Sequence, residues 1–227
     1  MPWARSAKIA FIGSHGVRKT TAALAFAGAL QRAGRSVEFA REVVRDNPLG
    51  INETATCEAQ LWVLTSQIRR ELELSQNAEC VVTDRGVMDN FAYYLRACGN
   101  DDRFDVEPLV RAWSRTYDLV VRLTPDVQIR ADGVRSTNDR FRDEVEAILD
   151  ARLPRLVPRD RLILQPASEV TETHDWWPLA ELLAARVGEP LLAEGVTRPT
   201  RASATVSTRG RRGMALSDDQ LELDLER

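Results

Sequence analysis

The segment Gly13–Thr20, GSHGVRKT, has the residues and spacing best suited to bind phosphate groups. It follows a short apolar run, KIAFI at 8–12, and opens an Ala/Leu-rich stretch typical of a helix. A loop between a buried strand and a helix directs backbone N–H groups and the positive end of the helix dipole to one point. The pattern predicts a P-loop, in which Lys19 contacts the β- and γ-phosphates and the Thr20 hydroxyl binds Mg²⁺.

Arg18 departs from the usual P-loop pattern, because it stands where a glycine normally precedes the lysine. Gly16 still gives the loop freedom at its middle. The arginine side chain must either leave the path of the phosphates or add positive charge to them. The alternative to a P-loop is a strand–helix turn in which Lys-Thr occurs by chance, but the strand and helix around it favour the P-loop. The residues expected to contact ATP are Gly13, Ser14, His15, Gly16, Val17, Arg18, Lys19, Thr20 and Thr21.

A carboxylate follows the second predicted strand, Arg35–Ala40, within the segment REVVR at 41–45. Ligands of parallel α/β sheets bind beyond the carboxyl ends of the strands. Glu42 is therefore placed to accept the proton of an attacking hydroxyl, with Arg45 beside it to bind the acceptor or phosphates. The alternative is a solvated Glu42–Arg45 pair at the start of a helix.

Asp84 and Arg85 follow the third predicted strand, CVVT at 80–83. An acid at this strand end has the Walker-B-like position that holds Mg²⁺ or its water. Arg85 would then bind a phosphate through two N–H groups. The alternative is an ordinary surface ion pair.

An arginine-rich loop follows the fourth predicted strand, Leu119–Leu123, and runs over residues 130–142 around Gly133. Arginines on a loop with a glycine hinge suit a lid that closes over the transferring phosphate and excludes water. Arg135 is the first choice for the catalytic arginine of this lid. The alternative is a solvated, charged helix face.

The segment Thr56–Leu74 predicts a long helix, with an apolar face formed by Leu61, Leu64, Ile68 and Leu72. Two amides on this helix, Gln60 and Gln67, suit the edge of a base, and Trp62 suits stacking on one. The favoured interpretation is nevertheless structural, with Trp62 in the core and the glutamines on the surface.

Short apolar strands alternate with helices up to about residue 188. This alternation predicts an α/β domain, a doubly wound parallel five-stranded sheet with helices on both faces. The predicted domain covers residues 1–188, with the lid at about 126–153. The remaining segment, 189–227, is rich in Pro, Ser, Thr, Arg and Gly, which predicts a flexible tail.

Composition narrows the protein class. The chain has 227 residues, 44% hydrophobic and 29% charged, with a net charge of −3, which excludes an evenly basic, nucleic-acid-binding surface. No apolar stretch approaches the roughly 18 residues of a membrane helix, and the first residues lack a signal-peptide pattern, so a cytoplasmic protein is expected. Cys57, Cys80 and Cys98 have no metal-ligand spacing and are expected to be reduced thiols. Lys8 and Lys19 are the only lysines, so the surroundings of each are of interest.

Six segments carry a resemblance to a known family: GSHGVRKTT, REVVR, INETATCEAQLW (51–62), VVTDRGVMDNFAYY (81–94), LTP (123–125) and ADGVRS (131–136). Together they resemble the AAA-type P-loop kinase family that includes the nicotinamide riboside kinase domain of NadR, and more distantly deoxynucleoside and thymidylate kinases. The resemblance covers about 8–187. It implies an ATP- and Mg²⁺-dependent phosphotransferase with a nucleoside, nucleotide or related acceptor. The implied acceptor-binding residues are Arg45, Gln60, Trp62 and Asp89. Gly86, where many relatives have serine, is a departure.

The C-terminal residues Gln220–Leu225, QLELDL, resemble the QLxLxL peptide by which bacterial proteins dock on the replicative sliding clamp. An extended peptide of this kind inserts its leucines into a preformed apolar groove. The alternatives are a chance leucine-rich end and a short helix that packs on the domain. Docking on the clamp would imply a substrate near DNA replication, such as the hydroxyl of a modified base in DNA.

Two functions remain open at the level of sequence. In a phosphotransferase, Glu42, or failing it Asp84, accepts the proton of the acceptor. The alternative is a nucleotide-binding regulatory ATPase module that acts through its C-terminal tail. The dependence of ATP turnover on an acceptor distinguishes the two.

Overall fold

The computed structural model describes residues 6–50, 54–126 and 139–188. The strands of its sheet are β1 (Ala7–Ile12), β2 (Val37–Ala40), β3 (Cys80–Asp84), β4 (Leu119–Thr124) and β5 (Leu162–Pro166). Neighbouring strands all pair in parallel, in the order β2-β3-β1-β4-β5. The predicted doubly wound, five-stranded parallel sheet is confirmed. Its order places the carboxyl ends of β2, β3 and β1 side by side.

Six α-helices connect or flank the strands within the described ranges. They are α1 (Lys19–Arg32), α2 (Cys57–Leu74), α3 (Val87–Ala97), α4 (Glu107–Ser114), α5 (Asp139–Leu156) and α6 (Trp177–Val187). None of the helices described is long and apolar enough to cross a membrane.

The two faces of the sheet bury separate apolar layers. On one face, Phe11 of β1 packs against Phe26 of α1 and Trp176 before α6, with ring centroids 5.7 Å apart in both pairs. On the other face, Ile12 packs with Leu64 of α2 and residues of α3, α4 and α5. Because successive side chains of a strand point to opposite faces, the apolar residues at 9–12 of β1 contribute to both layers.

The buried face of α2 differs from the predicted one. Leu64 is buried as expected, but Leu72 is 51% exposed. The buried stripe instead runs through Gln60, Gln67 and Glu71, and both glutamines are inside rather than on the surface. Since three of the eight buried residues of α2 are polar, a search for apolar residues at helical spacing predicts a different face. The predictions for Leu72 and for the glutamines are therefore wrong.

Two of the three cysteines pair, contrary to the expectation of reduced thiols. Cys57, the first residue of α2, forms a disulfide with Cys98, the residue after α3, and their Cα atoms lie 5.0 Å apart. Cys80 is a free, buried thiol in β3, and burial raises its pKa to about 12. The pairing follows from the packing of α2 on α3, which brings together residues 41 positions apart in sequence.

Candidate active site

The predicted P-loop lies at the carboxyl end of β1 and leads into α1. Gly13 has φ 143°, and a Cβ on it would lie 2.6 Å from the carbonyl oxygen of Leu123 in β4. A side chain at this position is therefore excluded by the close approach of the two backbones. The glycine lets the loop turn tightly over the sheet edge, so that its N–H groups lie at the start of α1.

Arg18 has the left-handed backbone, with φ 62° and ψ 26°, that glycine adopts without strain. Its guanidinium reaches the segment after β5, where Nη1 donates a hydrogen bond to the carbonyl oxygen of Val170 at 2.8 Å. Of the two expectations for Arg18, the structure supports the one in which the side chain leaves the phosphate path.

Lys19 begins α1 and is buried, with 6% of its surface exposed. Its Nζ donates to the carbonyl oxygen of Ser14 at 2.5 Å, so the side chain folds back over the loop. Burial, and secondarily the positive charge of Arg85, lower the pKa of Lys19 to about 8, although the carboxylates of Asp89, Asp84 and Glu42 oppose this shift. A nearby polyanion would stabilise the charged form of such a buried ammonium.

Thr20 and Asp84 meet as the predicted metal site requires. The Thr20 hydroxyl donates to the Asp84 carboxylate at 2.6 Å. Asp84 ends β3 and pairs in register with Phe11 of β1, which brings it directly beside the P-loop. A hydroxyl and a carboxylate are oxygen ligands of the kind that Mg²⁺ takes in phosphoryl-transfer sites, so these two residues fit the ion.

Glu42 and Arg85 form a buried ion pair rather than a solvated one. Arg85 Nε donates to Glu42 Oε1 at 2.5 Å, and its Nη1 lies 3.5 Å from Asp89 Oδ2. The guanidinium also lies over the ring of Tyr93, 4.9 Å from its centroid. Arg45, predicted to lie beside Glu42, is 3.8 Å from its carboxylate and half exposed. The solvated Glu42–Arg45 alternative thus fits only in part, because the carboxylate is buried and the guanidinium half exposed. The alternative for Arg85, an ordinary surface ion pair, is wrong because its pair with Glu42 is buried.

Asp89 has a local structural role in addition to its predicted substrate-binding role. Its Oδ1 accepts from the backbone N–H of Gly86, which caps the start of α3. Burial raises the pKa of Asp89 to about 6, against the opposing effect of Arg85. A Cβ on Gly86 would lie 3.1 Å from Ile12 Cγ2, so the glycine at this position lets α3 begin directly against β1.

An aromatic cluster on the P-loop was not predicted. His15 stacks on Phe141 of α5 with centroids 5.1 Å apart, and its Nδ1 lies 3.3 Å from the hydroxyl of Tyr93. The rings of Tyr93 and Phe141 meet edge to face at 5.8 Å. No sequence spacing relates these residues, since they come from three separate elements.

A buried ion network that holds the first turn of the P-loop was also missed. The backbone N–H of Ser14 donates to Glu146 Oε1 of α5 at 2.9 Å. The other oxygen of Glu146 accepts from Arg122 of β4 at 2.6 Å, and Arg122 also binds Asp150 at 2.8 Å. An arginine within the apolar strand LVVRLT is the sequence signal that indicates such a network.

Several predicted site residues are not brought to this cluster by any described contact. Gln60 is buried and Trp62 half-buried in the first turns of α2. Arg135 and the rest of residues 127–138 of the predicted lid, together with the peptide Gln220–Leu225, lie outside the described residues. Their roles stay predictions.

Comparison with known proteins gives relatives in fold. No curated protein matches this chain. Among solved structures, the chain is similar to NadR in complex with NAD and AMP-PNP, at 18% identity and a TM-score of 0.54 over 81% of the chain. It is also similar to NadR in complex with NR, at 17% identity and a TM-score of 0.56 over 81% of the chain. The chain spans about half of the NadR chains, 50% and 52% of their lengths.

A third solved structure is covered almost completely. The deoxyadenosine kinase from M. mycoides with bound dATP matches at 16% identity, with a TM-score of 0.51, over 78% of this chain and 98% of the other. At these identities the likeness is one of fold, and it agrees with the predicted nucleoside-kinase architecture.

The family is given by the sequence itself. A family model described as an AAA domain (AAA_28) matches residues 8–167. This range contains the P-loop, Glu42, the Asp84–Arg85 turn and Asp89, and it is most of the chain. The resemblance drawn from these motifs is confirmed, and the chain belongs to this AAA domain family.

Proposed function

We propose that the protein is an ATP-dependent phosphotransferase that moves the γ-phosphoryl group of ATP to a hydroxyl or phosphate of a nucleoside, a nucleotide or a related acceptor. The observation that carries the proposal is the convergence of three strand ends. Lys19 and Thr20 follow β1, Asp84 ends β3 and contacts Thr20 at 2.6 Å, and Glu42 follows β2. A nucleotide-binding side and an acid–base side thus meet at one sheet edge.

The nucleotide side consists of the P-loop and the start of α1. Backbone N–H groups of 13–21 and the positive end of the α1 dipole would hold the phosphates. Lys19 would move from the Ser14 carbonyl to the β- and γ-phosphates. Thr20 and Asp84 would hold Mg²⁺, which, when bound, offsets the negative charge of the phosphates.

The acceptor side consists of Glu42, Arg85 and Asp89. In the proposed step, an acceptor oxygen attacks the γ-phosphorus, the bond to the bridging oxygen breaks and ADP leaves. Glu42 takes the acceptor proton, while Arg85, oriented by both carboxylates, holds the acceptor or the moving group. The reaction depends mainly on position and charge, which these residues supply.

The relatives in fold support the choice of acceptor class. NadR is solved with NAD, with AMP-PNP and with NR, and the M. mycoides protein is a deoxyadenosine kinase solved with dATP. All of these ligands contain a nucleoside. A modified base hydroxyl in DNA is a further candidate acceptor, if the C-terminal peptide docks on a sliding clamp.

The test follows γ-labelled ATP with Mg²⁺ and a panel of acceptors: nucleosides, nucleoside monophosphates, nicotinamide riboside, and DNA with and without hydroxymethylated bases. We expect label on one acceptor class, lost in Lys19→Ala and kept in Arg32→Ala. Arg32 is the matched control, because it is an exposed cation at the far end of the same helix. Label released only as phosphate, with no acceptor labelled, would contradict the kinase and favour a regulatory ATPase module.

A further inference from the structure

Lys8, the lysine outside the P-loop, belongs to a buried polar cluster. Lys8 Nζ donates to Glu71 Oε2 at 2.8 Å and lies 4.4 Å from the ring centroid of Trp113. The same carboxylate oxygen accepts from Trp113 Nε1 at 2.8 Å. Its other oxygen accepts from Tyr117 Oη at 2.6 Å and from Gln67 Nε2 at 2.9 Å. Glu71 and Gln67 have no exposed surface.

Two members of this cluster reach the turn that carries Arg85. Gln67 Nε2 also approaches the carbonyl oxygen of Arg85 at 3.4 Å. Tyr117 Oη accepts from the backbone N–H of Val87 at 3.2 Å. Burial beside Glu71 raises the pKa of Tyr117 well above its ordinary range, so its hydroxyl keeps the proton that it donates. Glu71 is thus linked to the backbone on both sides of Gly86 through one intervening side chain each, Gln67 to Arg85 and Tyr117 to Val87.

The turn requires such support because its conformation is unusual. Arg85 has φ 88°, in the region that favours glycine, and a non-glycine residue persists there only when its surroundings hold it. This backbone directs the guanidinium toward Glu42 and Asp89 instead of along the strand. If Arg85 took a backbone conformation with negative φ, its side chain would no longer point toward Glu42 and Asp89.

We propose that Glu71 is a positioning residue for Arg85, acting through Gln67 and Tyr117, which hold the backbone of residues 85–87 in the conformation that aims the guanidinium at Glu42 and Asp89. Its consequence for the reaction rests on the proposed function, whereas the effect on the turn does not. Lys8 balances the charge of Glu71 and Trp113 donates a hydrogen bond to the same oxygen, and neither contacts Arg85 or Val87 in any hydrogen bond described.

The experiment compares two variants that each remove one donor to Glu71. Tyr117→Phe also removes the hydrogen bond from Val87, whereas Trp113→Phe removes the hydrogen bond to Glu71 and keeps an aromatic ring beside Lys8. The readout is hydrogen exchange of the Arg85 and Gly86 amides, whose own acceptors, the Phe11 carbonyl and Asp89, are untouched. Exchange at the Leu183 amide in α6 corrects for global stability.

We expect Tyr117→Phe to speed exchange at Arg85 and Gly86 by about tenfold relative to Trp113→Phe, the effect of losing roughly one buried hydrogen bond. Gln67→Met, which keeps the side-chain length, is the second variant and is decisive where Tyr117→Phe does not fold. Equal exchange at Arg85 and Gly86 in the network variants and in Trp113→Phe would overturn the proposal.

A kinetic measurement separates the positioning role from the proposed function. With a phosphorylated acceptor identified, Gln67→Met should lower kcat by about tenfold and leave the KM for ATP unchanged, because Arg85 acts on the acceptor side. An equal effect on the KM for ATP would contradict the positioning role. If no acceptor is ever labelled, the proposed function fails, yet the exchange result still decides whether the partners of Glu71, Tyr117 and Gln67, hold the turn.

Discussion

The two lysines of the chain, Lys8 near the start of β1 and Lys19 after the loop that follows it, differ in how their charge is satisfied. Both are buried, Lys8 at 5% and Lys19 at 6% exposure. Lys8 forms a 2.8 Å ion pair with Glu71 and lies over the rings of Trp113 and Tyr117. Lys19 hydrogen-bonds the carbonyl oxygen of Ser14, and its pKa is lowered to about 8.

This difference in charge partners indicates which of the two buried lysines is suited to bind a ligand. At the amino end of β1 the charge is neutralised by a carboxylate with four donors, so the cluster has little to gain from a ligand. At the carboxyl end the charge is desolvated and near a second cation, Arg85, so an incoming polyanion relieves an unfavourable arrangement. Identical residue types therefore serve packing at one end of the strand and, in the proposed function, ligand binding at the other.

Lys8→Met should produce the largest loss of stability. It leaves the Glu71 carboxylate buried without its cation, which costs about 3–5 kcal/mol in the free energy of unfolding. Urea denaturation measures this loss. The double variant Lys8→Met/Glu71→Gln should recover part of it, because no uncompensated charge remains. A single variant as stable as the wild-type protein would show that the pair contributes nothing and would remove the basis of the comparison.

Lys19→Met should have the opposite profile. If the protein is the proposed phosphotransferase, ATP turnover should fall by about 10²–10³-fold, since the charge proposed to stabilise the moving phosphoryl group is lost. The free energy of unfolding should not fall, because the buried ammonium is replaced by an apolar chain of similar length. Turnover assays and urea denaturation of the same preparation test both statements. A loss of stability comparable to that of Lys8→Met would mean that the two lysines are alike.

The fold was predictable because its signals are local. The apolar runs at 8–12 and 80–83 are too short for helices and alternate with helical segments, which indicates a parallel sheet. The face of α2 was not predictable, because its buried stripe includes Gln60, Gln67 and Glu71. Glu71 is satisfied inside by Lys8, Trp113 and Tyr117, which come from other elements, and Gln67 is buried beside it.

The part of the candidate site that could be predicted consists of polar residues at or just after the ends of strands. The Thr20–Asp84 contact follows from a P-loop beside an acid at the end of the neighbouring strand. The environment of the loop was not predictable, because the partners of Ser14 and His15, Glu146 and Phe141, come from α5 and have no fixed spacing. The disulfide was missed for the same reason, since the packing of α2 on α3 determines it.

The lowered pKa of Lys19 should make the stability of the protein depend on pH above about 8. Below pH 8 Lys19 is protonated in the folded and unfolded states, and the penalty for burying its charge is fully present. Between about 8 and 10.5 the unfolded state binds more protons, so the contribution of Lys19 to stability rises with pH. From pH 7 to pH 9 the wild-type protein should gain on the order of 1 kcal/mol over Lys19→Met. Parallel unfolding free energies for the two proteins, by urea denaturation across this range, would exclude a depressed pKa.

Arg18→Gly should have the smallest effect, although Arg18 is the neighbour of Lys19. Glycine relieves a left-handed backbone that costs about 1–2 kcal/mol, but it loses the bond to Val170 and gains chain entropy in the unfolded state, so stability should change by less than about 1 kcal/mol. Arg18→Ala, the matched control, keeps the strained backbone and loses the bond, so it should be less stable than Arg18→Gly by about 1 kcal/mol. ATP affinity of Arg18→Gly, measured by calorimetry, should stay within about threefold of the wild-type value, because the guanidinium reaches Val170 and not the loop interior. A tenfold or greater loss of affinity would instead make Arg18 a second phosphate-binding cation beside Lys19 and break the simple contrast between the two lysines.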